Sequence, residues 1–164
     1  MPTPDFDLHE LDTQPASDAG VSYVVQRADR QGPVVRDGRP VTLTLLGADA
    51  ERVQAILKQH MRENRDAAIQ GMTDEELDAH VQRQALDVLA GATVDWSGFV
   101  DTKGQPIPFS RDAAFQLYRR FPDVRAQVEA FMQRRANFLP RSTGTSSNTA
   151  GGTSDEASRP AVQP

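Results

Sequence analysis

GRPVTLTLLGADAERVQAILKQH, residues 38–60, carries two periodicities in one short run, and the change between them decides the fold. Val41, Leu43 and Leu45 alternate with Thr42, Thr44 and Leu46, the two-residue period of a strand with one apolar face. Past Gly47 the spacing changes. Val53, Ile56, Leu57, His60 or Met61, and Asn64 recur every three or four residues, as on one face of a helix. Asp49 is placed to cap that helix, which is expected to run over 49–69, with Gly71 as its C-terminal stop.

Upstream, Asp37-Gly38 is a two-residue hairpin signal, because a type I′ turn needs positive φ at both central positions. Pro40 has no N–H to donate, so the strand beginning there belongs at an edge. VSYVVQ at 21–26 is β-branched and aromatic. Residues 21–46 therefore read as an antiparallel sheet of two or three strands, which must lie on helices because a hairpin alone is marginal in water. Before it, residues 1–20 hold Asp5, Asp7, Glu10, Asp12 and Asp18 and no Lys or Arg. They read as a flexible acidic arm, within which Phe6, Leu8 and Leu11 form a candidate docking motif.

Downstream, Thr73 and Glu76 have the spacing of a capping box, with Met72 and Leu77 as its hydrophobic staple. The helix that follows is expected to bury Leu77, Val81, Ala85, Val88 and Leu89 and to end near Gly91. WSGFVDTKGQPIPFS, residues 96–110, then reads as an irregular connection rich in aromatics and backbone breakers. Ser110 caps a third helix lined by Ala114, Leu117, Tyr118 and Phe121. Pro122 stops it and opens a fourth over about 123–138, carrying Val124, Val128, Phe131, Arg135 and Phe138. From 140 the Gly/Ser/Thr-rich chain has almost nothing to bury, and ordering it would cost about 1–2 kcal/mol per residue. It reads as a disordered tail. The expected fold class is α+β: a small N-terminal antiparallel sheet on about four helices, one domain over 21–139 with flexible ends.

Composition narrows the chemistry. There are no cysteines, which removes disulfides, thiolate nucleophiles and Cys-ligated metals. No apolar run reaches the roughly 18–20 residues that cross a bilayer. The N-terminus lacks a basic segment followed by an apolar one, so a cytoplasmic protein is expected. His9, His60 and His80 show no H-E-x-x-H spacing, and there is no G-x-G-x-x-G, P-loop or G-x-S-x-G. Asp74, Glu75, Glu76 and Asp78 suit the positive end of a helix and need no metal. The expectation is a non-enzyme with no cofactor and no metal. The net charge of −5 opposes nucleic-acid binding, although residues 111–141 are locally basic. A small helical DNA-binding regulator is the weaker alternative, since Phe131 and Phe138 share a line with Arg135 where a base-reading helix would be polar.

Four pieces in order carry a resemblance: the strand leading into GADAERVQ (47–54), LAGATVDWSGF (89–99), GQPIPFS (104–110) and RANFL (135–139). Across residues 41–139 the chain resembles the tail assembly chaperones of long-tailed, siphovirus-like bacteriophages and prophages. The resemblance implies a non-catalytic protein that binds the phage tape measure protein. It would help tail tube subunits gather round that client, act in the host cytoplasm and be absent from the mature virion. It also implies that a tail such as the one from 140 can be a linker or a dispensable end next to a programmed frameshift. A structural tail or head–tail connector protein is the alternative within the same setting. Partner-binding candidates are Trp96, Phe99, Phe109, Phe131 and Phe138; a homo-oligomer is compatible with the same surfaces. Two readings of Trp96, Phe99 and Phe109 stay open: a lid closing the core, or a patch offered to a client.

Overall fold

The computed structural model describes residues 7–140, apart from the side chains of residues 68 and 69. The tail read from 140, apart from its first residue, and the first six residues of the arm lie outside the described residues. A 3-10 turn at His9–Leu11 leads to α1 (Gln14–Ala19) and then β1 (Val21–Val24). The short strands β2 (Val35–Arg36) and β3 (Arg39–Pro40) precede β4 (Thr42–Leu45). The helices α2 (Glu51–Gln70) and α3 (Asp74–Ala92) follow, then β5 (Thr93–Ser97), α4 (Arg111–Arg120), α5 (Pro122–Gln133) and a 3-10 turn at Arg135–Phe138. The architecture is α+β, an antiparallel sheet with helices packed on it.

Asp37 and Gly38 both have positive φ, 50° and 74°, and Val35 pairs with Pro40 across them. The expected two-residue hairpin is present, but as a ribbon separate from the main sheet. The main sheet has the order β1-β4-β5, all antiparallel. Its central strand β4 puts Leu43 and Leu45 fully inside, with Thr42 and Thr44 on the opposite, half-buried side, as the alternation predicts. The third strand is a correction. Residues 93–97 form a strand of the sheet, so Trp96 and Ser97 do not open an irregular connection, and α3 passes into β5 with no residue between. Thr-Val-x-Trp is good strand material, and α3 ends next to Gly91 as expected, but no turn residues stand between helix and strand. The register also shifts: Thr44 faces Asp95 and Leu45 faces Thr93, leaving Val94 as the extra residue of a bulge.

The arm needs correcting too. Residues 14–19 are helical and packed: Ser17 is buried, and its carbonyl accepts from Gly47 N. Asp18 Oδ1 accepts from Glu51 N at 2.8 Å, so this carboxylate, distant in sequence, satisfies the first turn of α2. Asp49, the expected cap, instead takes a two-pronged ion pair from Arg135 at 2.7 and 3.0 Å. That contact also explains an Arg within the apolar line of the last helix. α5 ends at Gln133, and the tighter turn over 135–138 carries Arg135 out to Asp49 while Phe138 goes into the core.

The α3 capping box forms as expected: Glu76 N bonds Thr73 Oγ1, and Thr73 N bonds the Glu76 carboxylate. Its buried face differs. Leu89 is inside as expected, but Val81 and Ala85 are exposed, Gln84, Leu86 and Ala90 are inside, and on α2 Leu57 and Met61 point out.

Candidate protein-binding surface

The in-register row Tyr23–Leu43–Trp96 crosses the three strands of the main sheet. Residues directly opposite one another share a face, so these three lie on one side of the sheet. Leu43 is fully covered, while the two ends of the row carry separate aromatic groups.

At the β5 end, Trp96 meets Phe99 with ring centroids 4.7 Å apart and Phe109 edge-on at 5.5 Å. Such offset and T-shaped contacts suit the ring quadrupoles. Gly98 makes the turn that folds Phe99 back. Its φ is 82°, and a Cβ there would stand 3.2 Å from the Cα of Val41. Ile107 N donates to Phe99 O at 2.9 Å, and Trp96 Nε1 donates to Ile107 O at 2.8 Å. The loop between is held by Asp101 Oδ1, which accepts from Lys103 N and Gln105 N. Pro108 and Phe109 then deliver Ser110, whose hydroxyl caps α4 through Ala113 N at 3.1 Å. All three rings are half-buried against the core: each covers the sheet and keeps part of its surface outside.

At the β1 end, Tyr23 and Phe131 are 4.8 Å apart, and Phe131 meets Phe138 at 5.7 Å. Tyr23, absent from the sequence-based candidates, donates its hydroxyl to Gln127 Oε1 at 2.8 Å, and burial raises its pKa. Phe131 is half-buried. Phe138 is 1% exposed and so is a core residue, a correction to its place among partner-binding candidates. The structure thus joins Trp96 with Phe99 and Phe109, joins Phe131 with Phe138, and sets the two groups at opposite edges of one sheet face.

His60 and His80, which show no ligand spacing in the sequence, line one polar pocket between α2 and α3. His60 Nε2 is 3.1 Å from Asp87 Oδ2, whose other oxygen accepts from Arg111 at 2.7 Å. Gln84 Nε2 donates to Glu63 and lies 3.0 Å from His80 Nε2. Hydrogen bonding from Gln59, with a smaller contribution from Gln84 and the two imidazoles, holds the Glu63 carboxyl below its ordinary pKa against the cost of desolvation. Among the described residues no three His, Asp or Glu side chains are placed to hold a metal ion. No helix of the described residues is long and apolar enough to cross a membrane.

Fold and surface together define a small α+β domain with an aromatic edge and a polar seam between its two long helices. The chain belongs to the YdaY prophage protein family, whose model matches residues 48–144, more than half of its length. The match takes in α2, α3, β5, α4, α5 and the last turn, and so both the aromatic edge and the polar seam; β1 to β4 lie outside it. No curated protein and no solved structure matches the chain.

Proposed function

We propose that this prophage protein is a non-catalytic assembly chaperone for a phage tail. It binds the tape measure protein and assists tail tube subunits to gather round it. The observation that carries the reading is the edge formed by Trp96, Phe99 and Phe109: three rings locked by the Trp96 Nε1–Ile107 O bond, each with part of its surface outside. Rigid aromatic side chains held half-exposed lose little conformational entropy when an apolar helix face docks on them. Family membership supports the phage setting, and the order of the GADAERVQ, LAGATVDWSGF, GQPIPFS and RANFL pieces supports the tail chaperone reading within it.

Co-expression with a phage tape measure protein is the direct test. The partner should stay soluble only when this chain is present, and Phe109→Ala should lower its recovery while leaving the variant folded. Mass spectrometry of purified particles should find the chain absent. Its presence there in many copies would replace this reading with that of a structural tail or connector protein.

A further inference from the structure

Three contacts fix how α2 and α3 run. Ile56 lies against Gly91, His60 against Asp87, and Glu63 against Gln84, so each step forward on one helix is a step back on the other. The helices are antiparallel neighbours joined by a short turn. This polar seam continues to one side, where Arg83 and Asp87 meet Arg111 at the start of α4.

One residue further along an α-helix turns the side chain by about 100°. From Ile56 and His60 that step reaches Leu57 and Met61; from His80 and Gln84 it reaches Val81 and Ala85. Because the helices are antiparallel, the step turns both toward the same side, the one away from α4. There Leu57 is 37% exposed, Val81 48% and Met61 68%, and Ala85 is exposed as well. The outer rims of this apolar face have opposite charge. Lys58 and Arg65 edge it on α2, while Asp74 and Asp78 edge it on α3. Among the described residues none of these four forms an ion pair.

We propose that this face pairs with the same face of a second copy of the chain, making an antiparallel four-helix bundle from two α2–α3 hairpins. Charge selects the symmetry. A two-fold axis along the helices lays α2 of one copy over α3 of the other at unchanged height, which brings Arg65 to within about one helical turn of the level of Asp78. An axis across the helices would lay α2 on α2 and α3 on α3, like charge on like. The first arrangement is isologous and closes on itself, and its near-parallel helices suit bundle packing. Two helices about 30 Å long present a face about 20 Å wide, which approaches one side of a standard interface. The apolar stripe supplies the attraction, and the rims set the orientation.

Sedimentation velocity on the full chain through the micromolar range tests this without any client, so its outcome is independent of the chaperone reading. The wild type should be a dimer. Met61→Asp should raise the dissociation constant about tenfold or more while leaving the far-ultraviolet circular dichroism and melting temperature of the monomer unchanged, since Met61 is 68% exposed. Arg65→Glu and Asp78→Arg should each weaken the dimer, and the two together should restore it. A wild type that stays monomeric, or a dimer indifferent to Met61→Asp, overturns the proposal. So does a monomer that instead captures an amphipathic helical peptide through Met61 and Val81. Failure of the double charge exchange to restore pairing overturns the symmetry.

Discussion

The Tyr118 hydroxyl lies 2.6 Å from Thr93 Oγ1, with both residues fully buried. The Thr93 hydroxyl is also 2.9 Å from Leu89 O, and either hydroxyl can be the donor in the Tyr118–Thr93 bond. Burial pushes the Tyr118 pKa up from 10.0 to about 12, with the Thr93 bond pulling slightly the other way. A raised pKa means the folded chain holds this proton more tightly than the unfolded one. The associated stability is fully present below pH 10 and is lost between 10 and about 12. Thermal melts from pH 7 to 12 should show that alkaline fall, and Tyr118→Phe should blunt it. At neutral pH the same variant should cost about 1 kcal/mol for the lost hydrogen bond. Aromatic truncations should separate just as clearly. Phe138→Ala removes a fully covered ring and should cost about 3–5 kcal/mol in urea unfolding. Phe109→Ala, which starts half-exposed, should cost clearly less; a loss as large as that of Phe138 would make Phe109 a lid and nothing more. From sequence the two were indistinguishable. Phe109, in the connection, and Phe138, in a helical line, were both partner-binding candidates, and only the break after Gln133, with Arg135 drawn to Asp49, decides that Phe138 goes inward.

Where an element starts was legible only when its cap was local. Thr73 and Glu76 sit three residues apart, and the box forms as the spacing requires. Thr73→Ala should cost about 1 kcal/mol, read as a lower urea midpoint with an unchanged slope. Ser110 and the Asp37-Gly38 turn were readable for the same reason, since each is settled within four residues. The start of α2 was not, because its acceptor is Asp18, thirty-three positions earlier in the chain. Strand β5 was hidden differently. Its Thr-Val-x-Trp pattern is visible and Gly91 marks the end of α3, but no connecting residues separate helix from strand, and only pairing with β4 makes 93–97 a strand. The exposed α2–α3 face was misread too. Leu57 and Val81 fit a helical stripe, and periodicity alone does not say which edge of an apolar stripe meets the core.

For the molecule as a whole, α1 is the piece whose removal says most. It closes over the β4–α2 junction through Ser17, which lies against Gly47, and through Asp18 on Glu51 N. A Cβ at Gly47 would come within 2.8 Å of Ser17 Cβ and 3.2 Å of its Cα. Deleting residues 1–20 should therefore raise hydrogen exchange at Glu51 and lower the melting temperature by a few degrees. A detachable arm would leave both unchanged. The order of strands carries a consequence for the newborn chain. β4 finds its first partner, β1, already made, but its second comes only after both long helices have left the ribosome. At ordinary elongation rates that interval is about 2 to 10 seconds. Throughout it, the middle strand shows a bare row of amide and carbonyl groups, the kind of border onto which stray β-chains graft. Translation tempo between Leu45 and Ser97 therefore sets how long the nascent polypeptide is at risk of mispairing.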